Sequence, residues 1–192
     1  MLTLGKVSIH PGFWGVLVFA IWIGAGEVLP LVGVAALCHE MGHLAALRLA
    51  GAAVEGICFT SFGAEIRADT RYLPYWKDLL CTMAGPAVNI VLALLFARVS
   101  EDYLLAGANL MQGIFNLLPV PGTDGSRMMN LLLSWTLDPD RADGICRAVE
   151  LCCGGAMCAV CLYLVVRGQG GVFLLLASVG IFRSALRQYN GK

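Results

Sequence analysis

Long uncharged stretches alternate along the chain with short charged ones, and the stretches are of membrane-spanning length. A helix needs about 20 mainly apolar residues, with a range of roughly 17–25, to cross the hydrocarbon of a bilayer. Residues 9–26, 28–47, 79–97 and 103–123 meet this measure, the second interrupted by His39, Glu40 and His43. Two further apolar stretches, 151–166 and 168–182, are shorter and separated by a single Arg167; they span by borrowing flanking residues or fold as a partly re-entrant hairpin. The pattern predicts an all-α polytopic membrane protein of about six transmembrane helices. One segment departs from it. Val54 to Thr60 and Ala64 to Asp69 favour extended structure, with Ala64, Ile66 and Ala68 alternating against Glu65, Arg67 and Asp69, and Ser61-Phe62-Gly63 supplying a turn. A small β-hairpin is therefore expected after the second span.

Composition supports lipid as the main solvent: 58% of the 192 residues are hydrophobic and 14% charged, where soluble domains carry about 25% charged residues. A chain this apolar outside a membrane would need a larger core than its length can enclose. The 13 Lys+Arg and 13 Asp+Glu cancel, leaving no cationic excess to neutralise phosphates, so nucleic acid is excluded as a partner. The cations are unevenly distributed. With six spans, the amino terminus, the 48–78 and 134–150 connections and the carboxy tail share one side, which holds Lys6, Arg48, Arg67, Arg71, Lys77, Arg141, Arg147, Arg183, Arg187 and Lys192, while the opposite loops hold Arg98 and Arg167. The positive-inside rule then places both termini in the cytoplasm of a multi-pass cell-membrane protein. The first apolar run loosely mimics a cleavable secretory signal, but counted from Ile9 it reaches span length. Of the eight cysteines, Cys152, Cys153, Cys158 and Cys161 could be metal ligands, yet no His or second Cys pair faces them in a loop, and helix packing is the reading favoured.

The chemistry is concentrated in the second span. His39-Glu40-Met41-Gly42-His43 is an H-E-x-x-H pattern, which on a helix sets two imidazoles one turn apart on one face, suited to two positions of a tetrahedral zinc. Glu40 projects beside them, where it can take a proton from a metal-bound water. Two His and a Glu inside a bilayer are costly unless they pair, line a wet cavity or bind a metal. Of the three histidines in the chain two lie in this pattern, and His10 sits at a span end.

A catalytic zinc needs a third protein ligand and an open position. Most acids fall in predicted loops or at span ends, whereas Asp124 follows a long uncharged run and precedes another apolar segment. The stretch from Asn116 to Gly125 carries Pro119 and Pro121 and reads as a helix broken and reopened after Gly125. Broken backbone at membrane depth is tolerated where it lines a polar cavity. At a rise of 1.5 Å per residue, His43 and Asp124 each lie roughly 10–15 Å from the cytoplasmic end of their spans. One metal can therefore join them, nearer the cytoplasmic side. Asp124 as the cap of a helix beginning at Gly125 is compatible with ligation.

Together with Ala84-Gly85-Pro86-Ala87-Val88-Asn89 and the Asn116–Gly125 segment, the His39–His43 motif resembles the three signatures of the site-2 protease family of intramembrane zinc metalloproteases, in an order covering residues 30–135. The resemblance implies one zinc ion bound by His39, His43 and Asp124, Glu40 as catalytic base, and Asn89 and Asn116 holding substrate or an oxyanion. It implies regulated cleavage within or next to a transmembrane segment of a membrane-tethered protein, such as a transcription-factor precursor or an anti-sigma factor. The chain is similar to a compact six-span branch, read as a single domain over 1–192 with a core at 28–135 and C-terminal helices at 145–186. Neither a PDZ nor a CBS domain is expected.

The 51–71 hairpin follows the zinc helix on the cytoplasmic side. Its edge could pair with an unwound substrate and present a peptide bond in extended form, or the hairpin could merely cap the bundle. The alternative to a protease is a non-proteolytic membrane metal-binding protein, such as a zinc transporter or sensor. That function calls for polar positions along a permeation path, whereas here they concentrate at one depth.

Overall fold

The computed structural model describes residues 2–4, 7–22, 24, 26–60, 63–168, 178–183 and 185–186. They belong to two compact units, Met1–Phe115 and Asn116–Lys192. The first unit contains β1 (Leu2–Leu4), β2 (Val7–Ile9), α1 (Pro11–Trp22), α2 (Leu29–Ala50), β3 (Ala53–Thr60), β4 (Gly63–Asp69) and α3 (Tyr75–Leu95). α3 runs into a π-helical stretch, Phe96–Ser100, and α4 (Tyr103–Leu117) follows. The second unit holds α5 (Asp124–Thr136) and α6 (Pro139–Val166).

The hairpin expected after the second span is present as β3 and β4, paired antiparallel with a register shift between Val54 and Gly56. It belongs to a larger sheet of order β1-β2-β3-β4, because β2 lies parallel to β3 with Val7 opposite Ile57 and Ile9 opposite Phe59. This divides the stretch 9–26 expected as one span: Ile9 ends β2, and α1 supplies its helix. Val7-Ser8-Ile9 alternates, with β-branched residues at both ends, and suits a strand; Pro11, with its fixed φ, then opens a helix. α1 has 12 residues, about 18 Å of helix against roughly 30 Å of hydrocarbon. An apolar count cannot separate a short strand followed by a short helix from one continuous span.

Among the described residues three helices are long and apolar enough to cross a membrane: Leu29–Ala50, Tyr75–Ser100 and Pro139–Val166. These are three of the six expected spans, and the protein is a membrane protein on that ground. Their outward faces are apolar, as Leu37, Leu49, Val91, Leu94, Leu162 and Val166 show. Such a surface suits lipid rather than water.

What packs α2 on α3 is smallness. α2 buries Ala35, His39, Gly42 and Leu47, and α3 buries Cys81, Thr82, Gly85, Pro86, Asn89 and Ala93 along one face. A Cβ on Gly42 would lie 2.8 Å from the Ala84 carbonyl oxygen, so the two backbones meet at van der Waals distance. In lipid, where no hydrophobic drive joins helices, this close approach supplies the dispersion contact. Gly51 ends α2 in the left-handed region at φ 83, where a glycine carries no Cβ penalty, and turns the chain into β3.

Beyond β4, Arg71 grips Asp69 through Nε and Nη2 at 2.9 and 2.8 Å, and its backbone N–H donates to the same carboxylate at 3.1 Å. These bonds hold the Asp69 carboxyl down to about 2, from an ordinary 3.8. A lowered carboxyl pKa contributes stability above the ordinary value, and this is lost as pH falls through about 2. An NMR titration should place the Asp69 midpoint near 2, and Arg71→Ala should return it toward the usual range. A midpoint indifferent to that substitution would mean the pair does not persist in solution.

In the second unit the expected helix break lies at residues 118–123, after α4 and before α5. The expected connection at 134–150 is instead largely helical. Only Leu137 and Asp138 separate α5 from α6, and α6 starts at Pro139 rather than near 145. Its first turns are amphipathic: Ala142, Cys146 and Glu150 are buried while Asp140, Arg141 and Asp143 are exposed. Charges on the outer face of a helix interrupt an apolar run without interrupting the helix. Much of the 168–182 stretch lies outside the described residues; 178–183 are helical.

Candidate metal centre

His39 and His43 stand one turn apart on α2, and α3 fixes both rings from behind. His39, 3% exposed, donates from Nδ1 to Asn89 Oδ1 at 2.7 Å. Asn89 is fully buried, and its Nδ2 donates to the Ala35 carbonyl and to Asn109 Oδ1, both at 3.0 Å. The Ala35 carbonyl can only accept, so the Asn89 amide is held with its oxygen toward His39. Asn109 is anchored in turn by donating to the Leu105 carbonyl at 2.9 Å. His43 donates from Nδ1 to the Cys81 carbonyl at 2.8 Å.

Both Nδ1 atoms thus face acceptors and carry protons, which leaves the lone pair of each neutral ring on Nε2. The two Nε2 atoms lie 3.1 Å apart, with the rings at 83° to each other. Two lone pairs converging at this distance repel unless a cation lies between them. Two nitrogens at metal distances of about 2.0–2.1 Å on a tetrahedral centre would stand about 3.3 Å apart. The pair therefore fits half of a tetrahedral metal site, and the acceptors behind each Nδ1 are the partners that metal-bound histidines require.

The local sequence explains why His43 can reach its place. A Cβ on Gly85 would overlap the His43 ring, meeting Cε1 at 2.7 Å and Cδ2 at 2.8 Å as well as Nε2. The His43 imidazole fills the space that any other residue at position 85 would occupy. Glu40, next to His39 on α2, is half-buried.

The second unit holds Asp124 and Asn116. Asn116 is the penultimate residue of α4, and Asp124 is the first residue of α5. The cap of α5 is Thr123, whose side chain accepts from the Ser126 N–H at 3.4 Å; this corrects the reading of Asp124 as cap. The Thr123 hydroxyl lies 2.6 Å from the Leu118 carbonyl and 2.8 Å from that of Val120, sharing its proton between them. Gly125 sits where a Cβ would overlap the Leu117 and Leu118 carbonyls. The first turn of α5 is thus folded tightly onto the broken segment before it.

Two features depart from the sequence reading. Asn89 was expected to hold substrate or an oxyanion, but its side-chain oxygen and nitrogen are committed to protein partners, which makes it an orienting group for His39. Asn109 was not singled out, although a buried amide within an apolar helix carries a cost that calls for a partner. It lies with Ala106 and Gly113 on the buried face of α4.

Comparison with known proteins agrees with this geometry. Residues 28–103 match the model of peptidase family M50. A zinc metalloprotease of Methanocaldococcus jannaschii is 30% identical over 115 residues, covering 54% of this chain and 33% of that protein. Stage IV sporulation protein FB of Bacillus subtilis is 24% identical over an alignment spanning 97% of this chain and 72% of its own length. The chain spans about a third of the length of the mycobacterial and archaeal curated relatives it matches. Among solved structures, the site-2 protease from Methanocaldococcus jannaschii superposes with a TM-score of 0.74 at 23% identity, covering 99% of this chain and 94% of that one, and so shares the fold.

Proposed function

We propose that this chain, whose residues 28–103 match the model of peptidase family M50, is an intramembrane zinc metalloendopeptidase, hydrolysing a peptide bond within or next to a transmembrane segment of a membrane-tethered protein. The observation that carries the reading is the histidine pair, whose Nδ1 atoms are tied to acceptors and whose Nε2 atoms converge at 3.1 Å in a part-buried site. His39, His43 and Asp124 offer two imidazole nitrogens and a carboxylate oxygen, the three-ligand set that leaves a fourth position of one zinc ion open. When bound, zinc supplies Lewis acidity to the scissile carbonyl and to water.

This chain's own groups do the rest. Glu40 accepts a proton from the attacking water and passes it to the leaving amine. Asn116 donates to the oxygen on which charge develops. Asn89 and the Cys81 carbonyl keep the two imidazoles in the Nδ1–H tautomer, so that each ring would ligate through Nε2. β4 is an edge strand of the sheet that follows α2, and an unwound substrate adding to that edge would offer its peptide bonds in extended form. The termini lie in the cytoplasm and the centre sits nearer that side, following the distribution of Lys and Arg in the sequence.

Purified protein in detergent should cleave a membrane-tethered substrate, lose that activity to a chelator, and recover it on return of zinc. Zinc uptake into liposomes without proteolysis would sink the reading in favour of a transporter.

A further inference from the structure

The second unit buries a carboxyl that the reaction does not use. Glu150, the twelfth residue of the α6 helix Pro139–Val166, is 2% exposed. The Ser126 hydroxyl donates to its Oε1, while Oε2 has no hydrogen-bond partner among the described residues and no access to solvent. Burial of a carboxyl with an oxygen unanswered is costly, and the fold bears that cost opposite the first turn of α5. Further along the same seam Asn130 donates to Asp143 at 2.6 Å. Ser126 and Asn130 are four apart and share one edge of α5.

Ser126 stands two residues after Asp124, in the same helical turn. Before Asp124, Thr123 is fastened to the Leu118 and Val120 carbonyls, and directly after it Gly125 lies against the Leu117 and Leu118 carbonyls. The turn that carries Asp124 is thus held from the broken segment at one end and from α6 at the other. We infer that Glu150 is a positioning residue for the metal centre, fixing the Asp124 carboxylate from α6 through the Ser126 hydroxyl. The inference rests on the proposal that Asp124 is the third ligand. A carboxylate whose helix turn is already fixed loses less freedom on binding a metal, and partners outside the ligand shell commonly change affinity by about 10–100-fold.

The test is zinc affinity of the full chain in detergent, by competition with a chromogenic chelator, alongside thermal unfolding of the zinc-free protein. Glu150→Ala and Ser126→Ala should each weaken zinc binding by about tenfold or more. The double substitution should weaken it no further, since the two groups act as one. Glu150→Gln keeps an acceptor for the hydroxyl and should restore the affinity. Asn130→Ala, which cuts the seam one turn away, should leave affinity unchanged whatever it does to unfolding. Should Glu150→Ala prevent folding, Ser126→Ala carries the test by itself. Wild-type affinity in Ser126→Ala, or an equal loss in Asn130→Ala, would overturn the inference while leaving the ligand assignment intact. Wild-type affinity in Asp124→Ala, or no zinc binding by the unaltered protein, would bring down the ligand assignment and this inference with it.

Discussion

Glu40→Gln is expected to purify with a full complement of zinc and to cleave a membrane-tethered substrate at least about a hundredfold more slowly, the lower end of what a positioned acid–base group contributes. The substitution keeps the volume of the side chain and a hydrogen-bond acceptor while removing the site that takes a proton. It touches neither the histidines nor their supports, because His39 is held by Asn89 and His43 by the Cys81 carbonyl. Zinc per chain by metal analysis and initial rates on one substrate preparation separate the two effects. Cleavage at the wild-type rate would remove Glu40 from the chemistry. Loss of zinc would instead make it part of the metal's support.

Gly85→Ala is expected to cost the protein its zinc without altering any ligand. The added methyl would occupy the position of the His43 ring, with Cε1 at 2.7 Å and Cδ2 at 2.8 Å from the new carbon. Real carbon contacts do not approach so closely, so either the ring leaves or α3 withdraws from α2. In both cases Nε2 is misplaced, and zinc affinity should fall by at least the roughly tenfold seen when a partner outside the ligand shell is lost. Gly33→Ala on the ligand-bearing helix is the matched control. Among the described residues nothing lies within 4 Å of its new Cβ, and in a helix interior the change should stabilise by about 0.5–1 kcal/mol. Equal zinc binding by Gly85→Ala and Gly33→Ala would show that the ring is not confined as the structure has it.

The sequence was most legible where chemistry and cost coincide. His39, Glu40 and His43 stand out because polar groups at span depth need a reason, and the hairpin at 53–69 was visible in strict alternation. The Pro119-Pro121 break was equally plain. The rest was hidden for physical reasons. Residues 7–9 pair with a strand far along the chain, and a local pattern does not reveal a distant partner. Charges on the outer face of α6 made a continuous helix look like a connection. The supports of the centre are two amides, a backbone carbonyl and a glycine, and of these only Asn89 was singled out, for another role. Asn109 could have been found by the same reasoning that found the histidines, as a polar group in an apolar helix. Gly85 could not, since its role is to be absent from a space that only the folded chain defines.

The parallel pairing of β2 with β3 bears on the order in which the chain is built. Val7 finds its partner at Ile57 and Ile9 at Phe59, so the second strand made is among the last to settle. It waits until α1 and α2 have been synthesised and the chain has turned at Gly51. Closing so long an interval is slow relative to forming a hairpin between neighbours. β3 and β4 therefore form first, and the exposed edge of β3 stays open until the amino-terminal strand arrives to cover it.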